Sequence, residues 1–223
     1  MLKIQRIILT AVFTVAALAA QTPPSIQASG SATINVDPDQ ASLNIGVVTQ
    51  AATAQAAAEQ NAAAATTMIN ALKSVLGNNG TIKTIYYSIS PRYNNAQPAT
   101  IVGYIVSNTV QVTVNNINLV GALIDAGNQA GANSISGPNF GLQDPEPATQ
   151  KALAAAAKEA MAHASAIASG LGGKLGAVIS AQESGGVIPI ARDAAGATGT
   201  ATPIQNGTVG VTANVTVTMA FSQ

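Results

Sequence analysis

The sequence predicts an α+β fold: antiparallel sheet of about seven strands packed against two long Ala-rich helices and one shorter helix. Three observations carry the prediction. Several segments alternate apolar and polar residues, the period of a half-buried strand. Two stretches, 53–76 and 144–171, switch to helical spacing and are dominated by alanine, which supplies 45 of the 223 residues. Asp37-Pro38-Asp39 is a turn between two alternating runs, which reads as a hairpin.

Residues 21–27 contain Pro23-Pro24 and read as an extended leader. Ala32, Ile34 and Val36 then alternate with Ser31, Thr33 and Asn35 in a first strand. Ala41, Leu43, Ile45 and Val47 form the second. In the helix over 53–76, Met68, Ile69, Leu72, Val75 and Leu76 follow helical spacing, and Gly77 ends it. Ile85, Tyr87 and Ile89 make a third strand closed by Pro91, and 93–99 is a polar loop. Val102 to Val114 alternate along a long fourth strand. Asn116 caps a short helix carrying Leu119, Val120, Leu123 and Ile124, and a Gly-containing strand covers 135–142. Asp144 and Pro145 open the next helix, which runs through Leu153, Ala157, Ala160, Ala164, Ile167 and Leu171. A strand over 177–182 follows. Residues 185–207 lack a period and read as a flexible loop. Val209, Val211, Ala213, Val215, Val217, Met219 and Phe221 then line one face of the clearest strand in the chain.

Composition narrows the function. Nine basic and nine acidic residues cancel, and charged residues are 8 % of the chain, against about 25 % in an average globular protein. With no basic surplus to neutralise phosphates, nucleic-acid binding is not expected. The absence of Cys excludes disulfides, thiol chemistry and Cys-ligated metal centres.

Residues 1–19 read as a signal peptide. Lys3 and Arg6 precede an apolar run over 7–17, and Ala17-Leu18-Ala19 fits the small-x-small cleavage pattern. The run is shorter than the roughly 20 residues that span a bilayer, and no later stretch reaches that length uninterrupted. Cleavage near Ala19 leaves a single domain over 20–223, with 28–142 and 143–223 as sub-regions. That domain is expected in the periplasm or outside the cell.

No group of residues is placed for catalysis. His163, the only histidine, sits between alanines of the third helix and reads as a solvent-side or packed residue. Asp37 and Asp39 flank a turn proline with no third acid nearby, so no metal loop is evident. Ser29-Gly30-Ser31 precedes a strand and lacks the strand–nucleophile–helix setting. No phosphate-binding loop is present, and neither cofactor nor metal is expected. The four tyrosines lie close in sequence and suit cross-strand packing. Arg92, Tyr93 and Tyr104 form the candidate recognition surface.

The run Ser29-Gly30-Ser31-Ala32-Thr33-Ile34-Asn35-Val36-Asp37-Pro38-Asp39 resembles the start of the SIMPL domain. Gly103-Tyr104-Ile105-Val106-Ser107-Asn108-Thr109 is similar to that family's central strand, and Phe140-Gly141-Leu142, Asp144-Pro145 and Val211 to Thr218 follow in the same order. The resemblance covers nearly all of the mature chain. It implies an α+β fold, a tendency to self-assemble, and kinship with exported periplasmic antigens and a stress-associated enterobacterial protein. It carries over no catalytic residue. The expected function is therefore that of a non-enzymatic cell-envelope protein. Such a protein would act as a homo-oligomer or through an envelope protein partner, with a part in stress protection. The alternative is a periplasmic module binding a small ligand or peptide.

Overall fold

The structure, a computed structural model, describes residues 23–183, 190–192, 202 and 204–223. The expected signal peptide and its cleavage site lie outside the described residues. The strands are β1 (Ser25–Val36), β2 (Gln40–Ala51), β3 (Gly80–Tyr93), β4 (Ile101–Val114), β5 (Ser134–Gly141), β6 (Lys174–Glu183), β7 (Ile190–Arg192) and β8 (Thr208–Ser222). The helices are α1 (Ala54–Leu76), α2 (Val120–Gln129) and α3 (Glu146–Gly170), with a 3₁₀ turn over Ile117–Leu119 before α2. The fold is α+β, with seven long strands and one of three residues in two antiparallel sheets among the described residues.

The first sheet has the order β1-β8-β6, with β7 also on β8; the second has the order β3-β4-β2-β5. Thus β1 and β2 do not form the expected hairpin. All twelve residues of β1 pair with β8, while β2 lies between β4 and β5. Either arrangement satisfies the alternation of β1. In the pairing with β8, Ile26, Ala28, Ala32, Ile34 and Val36 stand opposite Met219, Val217, Ala213, Val211 and Val209 along the whole strand, while the apolar row of β2 faces α1. The Asp37-Pro38-Asp39 segment instead carries the chain between the sheets. The Asp39 N–H donates to the Gly141 carbonyl at 3.2 Å, and the Gln143 N–H donates to Asp39 Oδ1 at 2.7 Å. The two crossings are thereby tied side by side. The chain crosses between the sheets a second time between β5 and α3, and β1 packs with the C-terminal part.

Two further strand readings change. The leader reading at 21–27 is overturned from Ser25 onward, because β1 starts there. Pro91 does not close β3, which runs on to Tyr93. As the outermost strand of its sheet, β3 has a side without a ladder, where a missing N–H costs nothing. Most of 185–207 lies outside the described residues. The described parts are not the free loop expected: Ile190–Arg192 pairs with Thr208 to Gly210, and Thr202 donates through Oγ1 to Asp125 at 2.6 Å.

Helix α1 starts where Thr53 Oγ1 accepts the Ala56 N–H at 3.2 Å. It buries Ala57, Asn61, Ala65, Met68, Leu72 and Leu76 along one stripe. That stripe packs on Leu43, Ile45 and Val47 of β2 and Val110, Val112 and Val114 of β4, with Val120 and Leu123 of α2 closing the core. Just before helix α3, whose N-cap is Pro145, Asp144 Oδ1 accepts the Glu146 N–H at 3.0 Å. The buried stripe of α3 is six alanines, Ala148, Ala152, Ala156, Ala160, Ala164 and Ala168. The expected apolar face is displaced: Ile167 and Leu171 are exposed, and Leu153 is half-buried. Methyl-sized side chains let α3 lie close against β1 and β8. A larger residue on that stripe would hold the helix off the sheet.

Candidate functional site

The β3–β4 hairpin carries the largest group of uncovered apolar side chains. Among the described residues, seven of the twelve exposed large apolar ones lie on it: Ile85, Tyr86, Tyr87, Ile89 and Tyr93 on β3, Ile101 and Val102 on β4. The cause is the reach of α1. Val106, opposite Ile89, is fully buried beneath that helix, whereas Ile89 is 45 % exposed. Tyr87, opposite Asn108 on the same helix-side face, is 53 % exposed. Helix α1 therefore covers β2, most of β4 and Ile82 at the start of β3, and leaves the rest of the outer strand bare. That strand also has one edge without a sheet partner among the described residues.

The three residues of the predicted recognition surface come to one end of this hairpin but not to one face. Arg92 stands opposite Gly103, and Pro91 stands opposite Tyr104. Side chains alternate along a strand, so Arg92 and Tyr104 leave opposite faces of the sheet. Tyr93 pairs with Ile101 beyond an irregularity at Val102 and is exposed; Tyr104 is half-buried. Gly103 has no side chain to block the way, and the Arg92 guanidinium donates across β4 to Gln50 Oε1 at 2.6 Å.

Two polar arrangements elsewhere were missed by sequence reasoning. Asn61 is fully buried in α1, and its Nδ2 donates to the carbonyls of Val47 at 2.9 Å and Val106 at 3.1 Å. One side chain thus ties the helix to two strands. Its Oδ1 and that of Asn108 are buried without a hydrogen-bond partner among the described residues. The signal was the spacing of Ala57, Asn61 and Ala65, which puts the amide in the buried stripe. The second arrangement joins α3 to β1. His163 Nδ1 lies 2.8 Å from the Ser29 carbonyl, an acceptor, so this nitrogen carries the proton and donates. Glu159, one turn earlier, accepts the Ser31 N–H at 2.8 Å. The two side chains are 3.9 Å apart. The only histidine is thus engaged on a strand.

Of the two acids weighed for metal binding, Asp39 accepts the Gln143 N–H; Asp144, read as a helix-start residue, accepts the Glu146 N–H. Among the described residues, no three His, Cys, Asp or Glu side chains gather to hold a metal ion, and no helix is long and apolar enough to cross a membrane.

Residues 26–219 match the model of SIMPL, a protein of unknown function (DUF541). The chain is 30 % identical over 167 residues to the 26 kDa periplasmic immunogenic protein of Brucella melitensis biotype 1, covering 72 % of this chain and 67 % of that one. It is 30 % identical over 188 residues to the uncharacterized protein YggE of Escherichia coli K12, covering 80 % and 75 % respectively. YggE of Edwardsiella ictaluri is 29 % identical over 170 residues, covering 73 % and 70 %.

Proposed function

Because the chain belongs to the SIMPL family, we propose that it is a periplasmic envelope protein that acts without catalysis, by associating with itself through the β3–β4 hairpin. The carrying observation is the bare hairpin, with apolar side chains on both faces and an open β3 edge. The register irregularity at Ile85 and the proline at position 91 restrict strand pairing to about residues 86–90. Most of the contact is then apolar rather than ladder hydrogen bonding. Strands β3 and β4 contain Lys83 and Arg92 but no acid, so two hairpins cannot form ion pairs with each other. A part in stress protection rests on the resemblance alone. A ligand clamp between Tyr93 and Tyr104 is less well supported, since Pro91, next to Arg92, is the strand partner of Tyr104, whereas Tyr93 lies past the Val102 irregularity.

Light scattering and sedimentation test the association. At micromolar concentration in low salt the protein should be an oligomer, and molar salt should leave it intact, because screening does not weaken apolar burial. Tyr87→Asp with Ile89→Asp should weaken association by roughly 100-fold or more, since two central apolar anchors are lost. A wild-type monomer would end this reading. Dissociation by salt would leave the assembly but refute its apolar basis.

Periplasmic location is supported by the charged, apolar and small-residue segments of 1–19 and by the name of the Brucella relative. Mass spectrometry of protein from its native host should find a chain starting near Ala20. Retention of Met1 in the mature pool would refute export by cleavage.

A further inference from the structure

We propose that Glu159 and His163 close the outer edge of β1 against strand addition by a second copy of the chain. In an antiparallel pair, alternate residues turn their N–H and C=O groups away from the partner strand. Among the described residues β1 has only β8 beside it, so one of its edges faces away from the sheet. Glu159 takes the Ser31 N–H and His163 donates to the Ser29 carbonyl, each at 2.8 Å. An incoming strand would need that same donor and acceptor.

The spacing suits the task. Residues four apart on a helix rise about 6 Å, and residues two apart on a strand span about 6.8 Å. One helical turn of α3 therefore matches one repeat of the strand edge. The need for such a device is visible in β1 itself. Edge strands are commonly protected by their own charges, prolines or bulges. The twelve residues of β1, SIQASGSATINV, contain no charge and no proline, and their pairing with β8 runs without a register shift. An uncharged, regular edge of that length invites pairing, and α3 supplies the polar groups that β1 lacks. Gly30 makes this reach feasible, because its missing side chain lets the helix backbone come against the strand at that point.

The test compares the wild type with Glu159→Ala/His163→Ala and with Glu159→Gln/His163→Asn. The Gln/Asn pair keeps an acceptor at the place of Glu159 Oε2 and an N–H donor at the place of His163 Nδ1. Circular dichroism establishes folding of each. Hydrogen exchange reads the Ser31 amide, and sedimentation over a range of concentrations reads size. In the Ala pair, the Ser31 amide should exchange about tenfold faster or more, and species larger than those of the wild type should form with rising concentration. The Gln/Asn pair should match the wild type in both measurements. An Ala pair with an unprotected Ser31 but wild-type size would show that the two side chains only anchor α3. Unchanged protection would show that they do not hold the edge. Equal growth of both variants would attribute it to general destabilisation. Each of these three results overturns the proposal, and all are read relative to the wild type, whether that is a monomer or an oligomer. Failure of hairpin-mediated assembly is thus separable from failure of edge closure.

Discussion

Gly30→Val should destabilise the protein by about 3 kcal/mol or more, at the upper end of overpacking costs. A side chain at this position would run into the Ala156 carbonyl oxygen and the Ala160 nitrogen, and would stand 3.0 Å from Glu159 Cβ. The first two are helix backbone, which no rotamer change can move aside. Relief requires α3 to lift from β1, and that would part the alanine stripe from Ile26, Ala28, Val215 and Val217. For a domain of this size such a loss lowers the thermal midpoint by roughly 6–12 °C. Gly170→Ala gives the contrast. Nothing lies within 4 Å of the added methyl group, and the helix gains from reduced freedom of the unfolded chain, so stability should rise by about 0.5 kcal/mol. Urea midpoints of both variants check the pair. A Gly30→Val cost below about 1 kcal/mol would mean that α3 can shift without losing its core.

Asn61→Asp should cost about 3–5 kcal/mol at neutral pH, the range for an uncompensated buried charge. The amide nitrogen that serves Val47 and Val106 would become a carboxylate oxygen facing the same two carbonyls. Oxygen would meet oxygen in a fully buried place. The carboxyl would escape by keeping its proton in the folded state, which raises its folded pKa above the unfolded value of about 3.9. The sign then follows. Between those two values the folded state binds a proton that the unfolded state has released, so stability falls as pH rises. Below the unfolded value both states are protonated, and the neutral carboxyl can still donate one of the two lost hydrogen bonds. The deficit relative to wild type should therefore be larger at pH 7 than at pH 4. Equal deficits at both would show that the carboxylate finds water or a donor.

The local grammar of the chain was legible in its residues. Thr53, Asn116 and Asp144 each accept a backbone N–H at the start of a helical segment, and such caps depend only on the next two or three residues. The alternation of β8 placed Val209 through Met219 on the buried face. The candidate recognition residues lie at one end of a hairpin, but their division between two faces depends on register, which the spacing of tyrosines does not encode. His163 looked isolated because its nearest sequence neighbours are alanines. Its partner, Ser29, is 134 positions away.

The sequence by itself determined the class of fold, the ends of the helices, the period of each strand and the scarcity of charge. These depend on side-chain chemistry within a turn or two of chain. Tertiary structure alone decided that β1 pairs with β8 rather than β2, that α3 buries alanines rather than Ile167 and Leu171, and that most of β3 stays bare beside a largely covered β4. Alternation marks the apolar face of a strand without naming its partner, and several strands here have similar small and β-branched faces. In a helix made largely of alanine, every face is nearly as apolar as the next. The choice among such near-equal alternatives falls to the closest fit over the greatest length, and that fit exists only once the distant strand and the covering helix are in place.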